Sequence, residues 1–244
     1  MLLSADAAKD RLRWLDLLPV LAFTVVGIIL VFAILLLIAR SNRAFYRANL
    51  ETISLLATLG AYGAVGAGLV VALRRLRSPL RYLGLKWPTL AQVGYTLLLF
   101  IPWYIGLVLV LLVSSVLFNG GHVIPSNSRL VFIQRPQGIG LLLLALLVTA
   151  VAAPICEETF FRGMVLRLLE QRLPFWLAVA LSSLAFGLAH ASPAISLASL
   201  PAFVYMGVVL ALVYARTARL SNPMLLHGLN NAFVTLLAFT VAIR

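Results

Sequence analysis

The sequence is poor in charged residues, and in acidic residues above all. Charged side chains make up 11% of the 244 residues and only seven are Asp or Glu, whereas 63% of the chain is hydrophobic. Soluble domains carry about 25% charged and about 45–50% apolar residues. No water-soluble fold hides so much apolar surface, so the composition excludes a soluble protein and predicts an integral membrane protein.

The chain also contains only one cysteine, Cys156. A single thiol excludes an internal disulfide framework and any metal site built on a Cys-x-x-Cys pair. A lone cysteine among apolar neighbours is usually a small hydrophobic residue. A thiol-protease mechanism based on Cys156 is therefore disfavoured.

The formal net charge of +12 suggests nucleic acid as a partner, but the positions of the basic residues argue against it. They flank apolar runs, where Lys and Arg meet lipid headgroups and set topology. Membrane lipid is therefore the expected partner, and nucleic acid is not. The flanking residues are Lys9, Arg11, Arg13, Arg40, Arg43, Arg47, Arg74, Arg75, Arg77, Arg81 and Lys86.

Seven apolar stretches are candidates for membrane spans, since a span needs about 20 predominantly apolar residues. The sequence therefore predicts an all-α fold, a polytopic transmembrane bundle of about seven to eight helices. The candidate stretches are 17–39, 52–73, 94–118, 139–156, 174–191, 195–215 and 222–243.

The distribution of Lys and Arg predicts the orientation of the chain. The predicted spans leave connecting segments and two chain ends, which lie alternately on the two sides of the membrane. Thirteen of the 19 basic residues lie in the segments on one side, and the remaining six lie in the segments on the other side. Positive charge accumulates on the cytoplasmic side. We therefore expect a cell (inner) membrane protein with a cytoplasmic N-terminus. The basic-rich segments are 1–16, 74–93, 157–173 and 216–221.

Ionisable and polar residues inside lipid are costly, which makes them functional candidates. Away from the ends of the apolar runs this chain has few of them. They form three clusters in its second half: EETFFR at 157–162, FGLAH at 186–190 and HGLNN at 227–231.

The spacing within the clusters predicts which side chains share a helix face. Glu158 and Arg162 are four residues apart, so they lie on one face and can pair. Glu157 lies about 100° round the helix from Glu158. His227 and Asn231 are also four apart and can point at one oxygen atom. One carboxylate is thus expected to stay ionised with its arginine, while the other is free for acid–base chemistry.

The spacing between the first two clusters predicts a helical hairpin. Glu157 precedes Pro174 by 17 residues and His190 follows it by 16, with a polar turn signal just before the proline. Antiparallel helices meeting there would bring Glu157 beside His190, each about 25 Å from the turn. The fourth apolar run should then continue as one long or broken helix to residue 173, started or kinked by Pro154. Phe186, one turn before His190, is expected beneath the imidazole.

Three motifs in this order, EExxxR, FxxxH and HxxxN on hydrophobic helices, resemble the CPBP family. This family comprises the CAAX proteases and bacteriocin-processing enzymes, also called Abi, and includes the type II CAAX prenyl endopeptidases. The resemblance covers about residues 139–243, and Gly163 after Arg162 also fits it. We expect N-terminal transmembrane helices and loops over 1–138 and a catalytic helical core over 139–244.

The resemblance implies an intramembrane endopeptidase that hydrolyses a membrane-associated peptide or lipidated protein, of the CAAX-prenylated type in eukaryotic relatives. It makes Glu157 the general base, with His190 holding the attacking water. It assigns an oxyanion hole to His227 and Asn231. It also implies that Glu158 and Arg162 support the helix that carries Glu157.

An older interpretation of the same family implies a zinc site made by the glutamates and histidines: Glu157, Glu158, His190 and His227. Two His and one Glu can ligate catalytic zinc, so the residue types leave this alternative open. HExxH is missing and nothing in the spacings requires a metal. Catalysis without a cofactor is therefore favoured.

Other classes of function also fit a polar pocket in lipid. A non-catalytic scaffold or bacteriocin-immunity protein can bind a peptide with the same residues, and a small transporter can relay protons through Glu and His. Transporters tend to contain inverted repeats or paired broken helices, and this sequence has no internal repeat. Structural roles are a further alternative, since buried histidines also form hydrogen bonds across helix bundles. The oligomeric state is open.

Overall fold

Nine helices make up the fold of this computed structural model, which describes residues 11–120, 138–191 and 197–242. No strand occurs in these ranges. The helices are α1 (Leu17–Ser41), α2 (Arg43–Ala48), α3 (Leu50–Leu73), α4 (Pro79–Tyr82), α5 (Leu90–Asn119), α6 (Gly138–Glu170), α7 (Phe175–Ala189), α8 (Leu200–Thr217) and α9 (Ser221–Ala242).

Five helices are long and apolar enough to cross a membrane: α1, α3, α5, α6 and α8. Of the 25 residues in α1, only Val20 and Gly27 are buried, while Phe32 and Leu37 are 68% and 67% exposed. Large apolar side chains that face outward along whole helices need lipid around them. The protein is therefore a polytopic integral membrane protein, and the predicted all-helical fold is confirmed.

The seven predicted spans all coincide with helices, although two of these helices differ from ordinary spans. Helix α7 has only 15 residues, and α9 carries the polar residues of the HGLNN cluster. The predicted span 195–215 is observed as α8 from Leu200, and its first two residues lie outside the described residues. The last residue of the predicted span 222–243 also lies outside them.

Helix α6 is continuous over 33 residues and contains two π-helical segments. Leu147–Ala152 precedes and Thr159–Leu166 follows the short α-helical stretch that carries Glu157 and Glu158. Pro154 has no N–H to donate to the preceding turn, which favours a local change of hydrogen-bond register. The expected continuation of the fourth apolar run is thus confirmed, ending at Glu170 rather than residue 173.

Helix α9 packs closely against α6, and helix α8 packs closely against α7. A Cβ added at Gly228 in α9 would lie 2.7 Å from the carbonyl oxygen of Ala150 in α6. A Cβ at Gly207 in α8 would lie 2.9 Å from the Cα of Ser183 in α7. Small residues allow such close packing in membrane bundles. Glycine at these two positions therefore allows α9 to approach α6 and α8 to approach α7.

Candidate functional site

The three motifs meet at one place in the bundle, on α6, α7 and α9. Glu157 Oε2 lies 3.5 Å from His190 Nε2 and 3.8 Å from His227 Nε2. Glu157 and His190 each lie about 20 Å along their helices from the α6–α7 turn. The structure thus brings Glu157 beside His190, as the spacing between the first two clusters predicted, and also places His227 next to Glu157.

The two adjacent glutamates have different partners. Glu158 is fully buried, and its Oε1 accepts hydrogen bonds from Arg162 Nη1 at 3.0 Å and from His227 Nδ1 at 2.9 Å. Glu157 retains 14% side-chain exposure and turns its Oε2 to the imidazoles. Arg162 pairs with Glu158, as the spacing predicted. The link from Glu158 to His227 was not predicted.

The hydrogen bonds at Nδ1 fix the orientation of both imidazoles. His190 donates from Nδ1 to the Phe186 carbonyl oxygen at 2.8 Å, because a carbonyl only accepts. His227 donates from Nδ1 to the carboxylate of Glu158. The Nε2 atom of each ring is consequently directed at Glu157. Second partners of this kind commonly select the reactive nitrogen of a histidine.

His190 is held between two aromatic rings at the end of α7. Its ring centre lies 4.5 Å from that of Phe186 and 4.6 Å from that of Phe203, onto which it stacks at 20°. The guanidinium of Arg162 also lies over the Phe186 ring, with its Cζ 4.5 Å from the ring centre. Phe186 therefore packs against the imidazole as expected and also contacts the buried ion pair.

Asn231 lies on the same helix as His227 and is bonded to α6. Its Nδ2 donates to the Thr149 carbonyl oxygen at 2.7 Å, and its Oδ1 accepts from Asn230 Nδ2 at 3.2 Å. Thr149 and Thr235 are also joined by their hydroxyls at 3.0 Å. These bonds fix the amide plane of Asn231. The amide retains a second N–H that can be donated to another acceptor.

The site concentrates charge in an apolar bundle. Glu158 and Arg162 are 0% and 1% exposed and balance each other, whereas Glu157 faces imidazoles that are neutral in their ordinary state. Burying an uncompensated charge is costly. One additional proton, held by either imidazole, balances the carboxylate of Glu157. The arrangement is thus suited to taking a proton from a bound water and returning it.

The residues named for a zinc site do not form a common set of ligands. Glu158 Oε1 is bonded to Arg162 and to the Nδ1 side of His227, while Glu157 faces the Nε2 side of that ring. Over residues 11–120, 138–191 and 197–242, no group of three or more His, Cys, Asp or Glu side chains is placed to hold a metal ion.

Sequence reasoning missed two residues of the site. Tyr62 in α3 donates its hydroxyl to Glu157 Oε1 at 2.5 Å, and Phe203 in α8 stacks on His190. A phenol near the middle of an apolar span is a polar group in lipid, which was the available signal for Tyr62. Phe203 carries no such signal, because an aromatic residue in a hydrophobic helix is ordinary.

Comparisons with known proteins agree with the motifs. Residues 138–233 match the family described as type II CAAX prenyl endopeptidase Rce1-like. The membrane-embedded CAAX protease MroQ of Staphylococcus aureus (strain USA300) is 27% identical over 167 residues, which cover 66% of this chain and 60% of MroQ. The putative membrane peptidase YdiL of Bacillus subtilis (strain 168) is 34% identical over 94 residues, which cover 38% of this chain and 37% of YdiL.

An uncharacterised 24.3 kDa protein of Escherichia coli is 30% identical over 129 residues, which cover 52% of this chain and 59% of that protein. The chain thus spans less than two thirds of the length of each of these relatives. No solved structure matches it significantly. The family resemblance expected from the three motifs is confirmed over residues 138–233.

Proposed function

We propose that this protein is an intramembrane endopeptidase, because residues 138–233 match the Rce1-like CAAX protease family. It hydrolyses a peptide bond in a membrane-associated substrate. The observation that carries this proposal is the convergence of His190 Nε2 and His227 Nε2 on Glu157 Oε2, at 3.5 and 3.8 Å. A carboxylate oxygen that faces two imidazoles is suited to activating water.

Glu157 is the general base of the proposed reaction. Its Oε2 takes one proton from a water molecule that His190 Nε2 helps to position, and the water oxygen attacks the carbonyl carbon of the scissile bond. The same proton then passes to the leaving amine as the carbon–nitrogen bond breaks. The side chain of His190 is 22% exposed, so water and substrate can reach this side of the site.

Asn231, through its second amide N–H, and His227, once its Nε2 carries a proton, stabilise the oxyanion that forms on the substrate carbonyl. Donors placed in advance at such a position are among the largest contributors to catalysis. Glu158 accepts from His227 Nδ1, which keeps Nε2 directed into the site. Thr149 and Asn230 hold the amide of Asn231 in one plane. Arg162 donates to Glu158 and holds it in place.

The proposed substrate is a peptide or lipidated protein presented from the bilayer, with a CAAX-type prenylated chain as the first candidate. The similarity to MroQ, a membrane-embedded CAAX protease, supports this choice. We further propose a catalytic core over 139–244 preceded by N-terminal helices over 1–138. The basic-residue distribution supports a cell (inner) membrane location with the N-terminus in the cytoplasm.

Cleavage by the purified protein in lipid nanodiscs tests the proposal. The probes are a fluorogenic peptide ending in a farnesylated CAAX sequence and the same peptide without the lipid. Glu157→Gln and His190→Ala should each lower kcat/KM by at least about 100-fold, the usual scale for removing acid–base catalysis. Both variants should retain the thermal midpoint of the unmodified protein within a few degrees.

A strong chelator separates the metal-independent mechanism from the zinc alternative. Full activity after chelation supports the mechanism above, whereas loss that added zinc restores supports a metalloprotease. Cleavage that survives both substitutions would remove the proposed site. A scaffold or immunity protein would instead bind the peptide equally well before and after Glu157→Gln and cleave it in neither case.

A further inference from the structure

A phenol hydroxyl from outside the family-matched region contacts the proposed general base. Tyr62 Oη donates to Glu157 Oε1 at 2.5 Å, across 95 positions of sequence. Tyr62 lies near the middle of α3, whereas the family match begins at residue 138. A hydrogen bond of this length is typical of an O–H group donating to an ionised carboxylate.

The packing of α3 against α6 determines the position of this hydroxyl. Tyr62 is partly buried and packs against the core cluster that contains Cys156. The thiol of Cys156 lies 3.5 Å from the backbone carbonyl oxygen of Tyr62, and a Cβ at Gly66 would be 4.0 Å from the same sulfur. The backbone of α3 therefore lies directly against the residue that precedes Glu157.

The two oxygens of Glu157 consequently have separate environments. Oε1 accepts the Tyr62 hydroxyl, and Oε2 faces His190 and His227. A carboxylate bonded at one oxygen loses rotational freedom, so the other oxygen keeps its direction. A neutral donor in an apolar region also favours the ionised form without adding a charge.

We propose that Tyr62 is a positioning residue for the proposed protease, acting through Glu157. This inference rests on the proposed function. It makes the site incomplete without α3, because the donor comes from the N-terminal helices and not from the helices that carry the three motifs. It also restricts Glu157 to one orientation, with Oε2 directed at the imidazoles.

The test compares pH profiles of kcat/KM in the nanodisc assay for the unmodified protein, Tyr62→Phe and the control Tyr205→Phe. The control also removes one phenol oxygen, but that hydroxyl bonds the Trp103 carbonyl at 3.4 Å and no carboxylate. Tyr62→Phe should lower kcat/KM about tenfold near neutral pH and move the acidic limb of the profile upward by about one pH unit. Tyr205→Phe should leave the profile in place.

A second variant guards against misfolding of Tyr62→Phe. Incorporating 3-fluorotyrosine at position 62 keeps the size and the hydroxyl but makes the phenol a stronger donor. It should move the acidic limb downward, opposite to Tyr62→Phe, and a purely structural role of the ring predicts no movement. An acidic limb unmoved by both changes would overturn the inference.

Glu157→Gln in the same assay separates the two proposals. Cleavage that does not depend on Glu157 refutes the proposed function itself. Cleavage that depends on Glu157 but keeps one pH profile with phenylalanine or 3-fluorotyrosine at position 62 refutes only the role of Tyr62.

Discussion

Replacing Arg162 by methionine should destabilise the protein more than any exposed charge substitution. Arg162 is 1% exposed and donates to Glu158 Oε1 and to the Gly207 carbonyl oxygen, both at 3.0 Å. It also lies over the Phe186 ring. Methionine preserves the apolar part of the side chain but cannot donate a hydrogen bond, so Glu158 keeps only the hydrogen bond from His227. Removing one partner of a buried ion pair costs about 3–5 kcal/mol.

The free energy of unfolding can be measured by titrating a denaturing detergent into mixed micelles of the purified protein. Arg75→Met is the matched control, because Arg75 pairs with Asp16 at 2.6 Å but keeps 40% side-chain exposure. Asp16 accepts two hydrogen bonds from Arg75, at 2.6 and 3.0 Å, yet the exposure of the Arg75 side chain should make this change cost less than Arg162→Met. The double variant Glu158→Gln with Arg162→Met should be more stable than Arg162→Met alone, since no unpaired carboxylate remains. Equal costs for Arg162→Met and Arg75→Met would refute the reasoning.

Two further substitutions test how the helices are held at the site. Gly228→Ala should lower the thermal midpoint and reduce kcat/KM at least about tenfold, because its Cβ would lie 2.7 Å from the Ala150 carbonyl oxygen. Gly63 provides the matched control, because a Cβ there meets nothing within 4 Å. Gly63→Ala should match the unmodified protein in both assays. Phe203→Leu should lower kcat about three- to tenfold with an unchanged thermal midpoint, since it removes the ring stacked on His190; an unchanged kcat would contradict that role.

Most of the architecture follows from the apolar pattern, because lipid admits few alternatives to helices. The run that begins at residue 139 continues to Glu170, as the polar turn before Pro174 predicted. The extent of the two π-helical segments could not be predicted, since the residues of Leu147–Ala152 and Thr159–Leu166 fit an ordinary helix equally well. Pro154 indicates only where the hydrogen-bond register can change.

Which residues form the site was easier to predict from the sequence than the hydrogen bonds between them. Helical spacing paired Glu158 with Arg162 and let Glu157 point in a different direction, and both features are observed. The spacing could not predict that Glu158 also bonds His227, because that contact joins residues 69 positions apart. The contact between Tyr62 and Glu157 could not be predicted for the same reason, since the two residues are 95 positions apart.

The adjacent glutamates show how one helix provides two kinds of carboxylate. Glu158 points into the bundle, where Arg162 and His227 use its Oε1 in an environment closed to water. Glu157, one residue earlier, meets Tyr62 at one oxygen and two imidazoles at the other, with 14% of its side chain exposed. A buried carboxylate held by two strong donors suits a structural role. A carboxylate with one oxygen bonded and the other facing two imidazoles suits proton transfer, so Glu157 carries the proposed chemistry and Glu158 orients the histidine beside it.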